Sequence, residues 1–105
     1  IVAAQQKAQP FRYPSGLVEV PMSPISDVTA FRAHFWKLDY FLKGVRLAVE
    51  WAIQERKVFD FLAHPSCLVV EDPGCETIKM VCDRVKQRKD RAEIVGLDKI
   101  AGRVA

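Results

Sequence analysis

Apolar and polar positions along this chain follow two periods. Between Leu38 and Arg56, the residues Leu38, Phe41, Leu42, Val45, Ala48, Val49, Ala52 and Ile53 recur at three and four residues. They make one wide apolar stripe, the pattern of a helix lying on a core. Leu47 and Trp51 stand off the stripe and suggest a second contact, with a neighbouring helix or with another subunit of a homo-oligomer. A narrower stripe of Ile78, Val81, Cys82 and Val85 predicts a helix from Glu76 to about Lys89. Leu97, Ile100, Ala101 and Val104 give a last small amphipathic helix. Residues 1–10, rich in Gln and Ala, read as a frayed end or as the tail of a helix closed by Pro10.

The second period is that of strands. Val58-Phe59-Asp60-Phe61-Leu62-Ala63 carries a single polar residue and no Gly or Pro, which reads as a strand covered on both faces in a parallel sheet. Side chains alternate along a strand, so Asp60, Leu62 and His64 share one face and Phe59, Phe61 and Ala63 the other. The aromatic face calls for a helix. Asp60 calls for a partner, because a carboxylate inside a sheet is costly unless paired. It could orient His64, or be held by an Arg from elsewhere. Leu17 to Pro21 and Ala92 to Val95 read as two shorter strands, and residues 64–74, with Pro65, Pro73 and Gly74, as a loop. The resulting order is strand, helix, strand, helix, strand, helix. It places the chain in the α/β class with parallel strands and right-handed crossovers.

Composition narrows this further. The chain has 105 residues, enough for one domain or less, with half of them hydrophobic and 28% charged, as in globular proteins. A net charge of +3 does not by itself call for nucleic acid, and the cationic run Arg84 to Arg91 reads as a solvated helix face. No apolar run approaches the roughly 18 residues of a membrane span, and Ile1-Val2-Ala3-Ala4-Gln5 lacks the features of a signal peptide. The start reads as an excerpt of a longer protein. Cys67, Cys75 and Cys82 are odd in number and have no Cys-x-x-Cys spacing, which points to a reducing, cytoplasmic setting.

Three parallel strands would leave open edges and an uncovered face. A closed (β/α) barrel needs on the order of 200 residues, about twice what is present. Phe61-Leu62-Ala63-His64-Pro65 resembles the Leu-x-His motif of the polysaccharide deacetylase (NodB homology) family. The helix before it and the helix, short strand and terminal helix after it follow the family's order. The resemblance implies that residues 1–105 are the C-terminal portion, about three β/α units, of a distorted (β/α)7 barrel. It also implies a metal-dependent hydrolase that removes acyl groups from carbohydrates or cleaves C–N bonds in small amides. Relatives act on chitin-like polymers, peptidoglycan, xylan esters and cyclic amides such as allantoin.

Carried over residue by residue, the resemblance makes His64 the general acid that protonates the leaving amine, a role suited to a side-chain type that titrates near neutral pH. Leu62 would line the acyl-methyl pocket. Asp27 is the candidate supporting carboxylate, with helix capping by Ser26 or Asp27 as the alternative. Glu19 would point inward with Leu17, and Arg12 in Phe11-Arg12-Tyr13-Pro14 is similar to the family's Arg-x-Pro-Tyr. The family's Asp-Asp pair and His-x-x-x-His, which hold a divalent metal, zinc above all, do not occur in this chain, and neither does Asp-x-x-Asp-Trp. The expected partners are therefore the missing N-terminal part of the barrel or another chain, together with the substrate. His64 would then project from the barrel rim into a cavity completed by other polypeptide. The alternative is a non-catalytic barrel relic acting as a binding or assembly module, for which the spare aromatics Trp36 and Trp51 speak.

Overall fold

The three helices that the 3.6-residue period predicts all form. In a computed structural model that describes residues 2–105, α1 spans Val2–Lys7, α2 Leu38–Glu55, α3 Pro65–Glu71, α4 Glu76–Gln87 and α5 Leu97–Gly102. Helix α2 is the spine. It buries Phe41, Gly44, Val45, Ala48, Val49, Ala52 and Ile53, each of the larger side chains being worth about 1.5–3 kcal/mol on burial. Ala30, Phe31 and Cys67 complete the core, with Phe59, Phe61, Leu68, Met80 and Val81 packed around it. Helix α4 lies along α2.

The ends of α2 follow local chemistry. Arg56 adopts a left-handed conformation (φ 55°), while the Arg56 amide donates to the Ile53 carbonyl and the Lys57 amide to the Ala52 carbonyl at 2.8 Å. This paired closure normally recruits Gly; an Arg there carries a backbone strain of about 1 kcal/mol. Before α2, Thr29–Ala33 forms a π-helical turn, closed by the His34 amide donating to the Thr29 carbonyl. Phe31 anchors that turn against Phe41, with ring centroids 4.7 Å apart.

The barrel expectation is overturned. Helix makes up 53% of the chain. The sheet among the described residues is a two-stranded antiparallel hairpin, β1 Phe11–Arg12 with β2 Val18–Glu19. The Leu17-to-Pro21 strand thus pairs back on the segment just before it, through a turn in which Gly16 takes φ 96°. Ala92 to Val95 joins no ladder, and residues 65–71, expected as loop, are α3. Pro65 at the first helical position starts α3, since its fixed φ suits that place and its missing amide hydrogen is not needed there.

Val58 to Ala63 joins no ladder either, yet its surroundings follow the alternation of its side chains. Phe61 packs toward Phe41 of α2 (6.2 Å) and Phe59 lies beside it (6.0 Å). Leu62 on the opposite face is exposed. The segment runs beside residues 23–27 in the same direction. Ser23 meets Asp60 and Asp27 meets His64, both at a separation of 37 residues.

Candidate functional site

The Asp27–His64 pair is assembled by three neighbouring elements. Ser26 caps the turn that leads into the π-helix, its hydroxyl accepting from the Thr29 amide at 3.2 Å. That leaves Asp27 free to face inward, where it is fully buried. His64 stands at the last extended position before α3 (φ −115°, ψ 116°), and its carbonyl accepts from the Cys67 and Leu68 amides.

The two groups meet in a bidentate arrangement. Asp27 Oδ2 accepts from the His64 backbone amide at 2.6 Å, and Oδ1 lies 2.8 Å from His64 Nδ1. The Val28 amide also donates to Oδ1, at 2.8 Å. Burial pushes the Asp27 carboxyl up. Hydrogen bonds from the His64 imidazole and from the His64 and Val28 amides outweigh that and hold it below the ordinary aspartate range. An ionised carboxylate only accepts, so Nδ1 carries the hydrogen and Nε2 is the ring nitrogen left for other partners. The imidazole is 44% exposed. Ring plane and tautomer are thus both set by a buried anion.

The other sequence candidates divide around this pair. Leu62, two residues before His64 on the same side of the chain, is exposed beside it. Arg12 lies on β1 and donates to the Gly16 carbonyl (2.8 Å) and the Val104 carbonyl (3.2 Å). Glu19 lies on β2, opposite Phe11. The structure therefore brings Asp27 and His64 together and leaves Arg12 and Glu19 on the hairpin. The Asp60 backbone bonds Ser23 through its amide (2.8 Å) and its carbonyl (2.9 Å). Its carboxylate has no hydrogen-bond or ion partner among the described residues, and burial pushes its pKa up. The orienting role weighed for Asp60 falls instead to Asp27.

Four residues of this region carry no motif. Gln5, fully buried, donates to Ser23 Oγ (3.0 Å) and to the Val58 carbonyl (2.8 Å). Gln9 grips Val58 from both sides, accepting from its amide at 2.9 Å and donating to its carbonyl at 3.0 Å. Gln5 lies on α1 and Gln9 two residues past its end, so no periodic pattern marks the pair. Ser23 relays between Gln5 and Asp60. Cys67 sits one turn past His64, fully buried; burial pushes its thiol up, and the Asp27 charge adds to that. A protonated, enclosed thiol is no nucleophile, so a Cys–His reading of this pair fails.

The residues present do not fit a divalent cation. No three potential ligands converge among the described residues, and both Asp27 oxygens are engaged by His64 and Val28. No step is therefore routed through a metal. Two surface clefts, of about 300 and 440 Å³, lie along α4; Arg84 and Gln87 line both, and neither contains His64. The expected placement of His64 at a barrel rim is replaced by a position on the surface at the start of α3. No helix among the described residues is long and apolar enough to cross a membrane.

No known protein family, curated protein or solved structure matches this chain.

Proposed function

We propose that Asp27 and His64 form the proton-transfer pair of a hydrolase that releases acyl groups from carbohydrates or cleaves C–N bonds in small amides. The observation that carries this reading is the 2.8 Å contact between His64 Nδ1 and a fully buried carboxylate, with the imidazole half-exposed. Asp27 holds the ring through Nδ1 and stabilises it once protonated. Nε2, protonated from solvent, then passes that proton to the departing amine nitrogen or alcohol oxygen, which would otherwise leave as a poor anion, while a water supplies the hydroxyl of the released acid. Leu62, exposed beside the ring, would meet the apolar end of an acyl group. The similarity of Phe61-Leu62-Ala63-His64-Pro65 to the deacetylase motif supports the choice of acyl transfer over other proton transfers. Any metal that chemistry calls for takes its ligands from polypeptide outside these residues.

The test is acetate or amine release from N-acetylglucosamine oligomers, acetylated xylan and allantoin by the protein as its gene encodes it. His64→Ala is expected to lower kcat by about 100- to 10,000-fold with the fold intact. Unchanged turnover in that variant overturns the assignment. A second reading, a non-catalytic binding or assembly module, is favoured by the exposed apolar side chains Leu17, Met22, Val69 and Val70. It predicts no turnover from the wild type on any of these substrates.

A further inference from the structure

An extended segment has two edges, and Val58 to His64 uses one. Toward α1 and residues 23–27, the Val58 amide and carbonyl are held by Gln9 and Gln5, the Asp60 amide and carbonyl by Ser23, and the His64 amide by Asp27. Along an extended chain the main-chain groups of alternate residues point to opposite edges. The amides and carbonyls of Phe59, Phe61 and Ala63 therefore face the other way, and none has a hydrogen-bond partner among the described residues. The segment is already held in shape, by Phe61 against Phe41 below it and by the side-chain bonds along its used edge. On its open face the half-buried Asp60 carboxylate has no cation.

We propose that this free edge receives an extended basic segment of another polypeptide, pairing through the main chain of Phe59, Phe61 and Ala63 and placing an Arg or Lys beside Asp60. A row of alternating donors and acceptors is matched by an extended main chain, and strand addition to a preformed edge is an established mode of peptide recognition. Directly opposite residues in a sheet share a face, so the side chain facing Asp60 belongs to the incoming strand. A second copy does not meet that demand with its own edge. The residues of Val58 to His64 on the Asp60 face are Val58, Leu62 and His64, and His64 is engaged by Asp27. An added strand would also run past His64 and wall one side of the proton-transfer pair.

The experiment is amide hydrogen exchange by NMR on the chain titrated with the peptide Thr-Val-Arg-Val-Thr-Val. Two control peptides accompany it: one with Glu in place of Arg, and one N-methylated at alternate positions so that it cannot donate. Exchange at Phe59, Phe61 and Ala63 is expected to slow about tenfold or more at saturation, with the Val58 and Asp60 amides changing little. The Glu peptide is expected to bind about fivefold more weakly, and the N-methylated peptide not to protect. Asp60→Asn should erase the preference for Arg over Glu while keeping the protection. No slowing at the three amides with several-millimolar Arg peptide overturns the proposal, as does equal affinity for the Glu peptide. It also fails if the three amides are already slow in the free chain and sedimentation shows a dimer, because a second copy then holds the edge.

Discussion

Asp27 and Asp72 are both fully buried, and both have carboxyls held below the ordinary range by accepted hydrogen bonds. They use those bonds differently. Asp72 takes the amides of Glu76 and Thr77, each at 2.8 Å, and so opens α4. Cys75, which occupies the usual capping position, is in a left-handed conformation and makes no side-chain cap. The bonds of Asp72 are local, four and five residues long, and serve one helix. Asp27 reaches 37 residues along the chain and takes both the backbone and the ring of His64. The first carboxylate ends in two amides, while the second ends in a group that can itself pass on a proton. Burial and a lowered pKa therefore do not mark a reactive site.

The comparison breaks most sharply on activity. Asp27→Asn turns an acceptor-only group into one that can present N–H to Nδ1, which unsets the ring tautomer. Turnover on the acyl substrates is expected to fall about 100- to 10,000-fold. Asp72→Asn should stay within about threefold of wild type, since it touches no reacting group. Long-range nitrogen–proton NMR checks the cause: His64 should show hydrogen on Nδ1 in the wild type and a mixed or reversed tautomer in Asp27→Asn.

Stability separates the two sites less. Asp72→Ala leaves the first amides of α4 without an acceptor and should cost about 1–2 kcal/mol in urea unfolding. Asp27→Ala strands the His64 amide and should cost about 1–3 kcal/mol. Both carboxyls have folded-state pKa values below their unfolded ones. The stability they supply is therefore present above the unfolded value of about 4, and it is lost as pH falls through the folded value. Between pH 7 and pH 3 the urea midpoint should drop for the wild type, and it should drop less for Asp27→Asn combined with Asp72→Asn. A parallel pH profile for that double variant would show that other carboxylates dominate.

The smallest effect is a control. Arg56→Gly relieves the left-handed strain at the end of α2 and should stabilise by about 0.5–1 kcal/mol, leaving the His64 tautomer unchanged. Movement of the tautomer would mean that the pair responds to global stability and not to Asp27 alone.

Much of this architecture was legible along the chain. The stripe of α2 marks its buried face because helix periodicity is a local property, while on α4 the buried residue is Thr77 and Ile78 and Cys82 of the expected stripe are exposed. The two faces of Val58 to His64 were legible for the same reason. Its pairing was not, since a run of apolar residues does not name its neighbour, and residues 23–27 carry too little strand character to advertise themselves. The barrel failed on this point: hairpin closure at Gly16 depends on one turn, and it reversed the expected direction of the Leu17-to-Pro21 strand. Helix α3 was hidden because Pro65, Pro73 and Gly74 read together as loop residues, whereas Pro65 at the first helical position starts the helix. The choice of Asp27 over Asp60 for the histidine came from the order implied by the motif resemblance. Spacing alone favoured Asp60, which shares a face with His64 but makes no hydrogen bond to it, whereas Asp27 does.

The grip of Gln5 and Gln9 on Val58 has an evolutionary consequence. A β-ladder tolerates sequence drift because every amino acid brings the same amide to the seam. Here the seam beside the histidine strand is written in two side chains, so single codon changes can erase it. Descendants of this chain should lose the docking of their first helix abruptly, by replacement at either glutamine, long before their hydrophobic stripe decays.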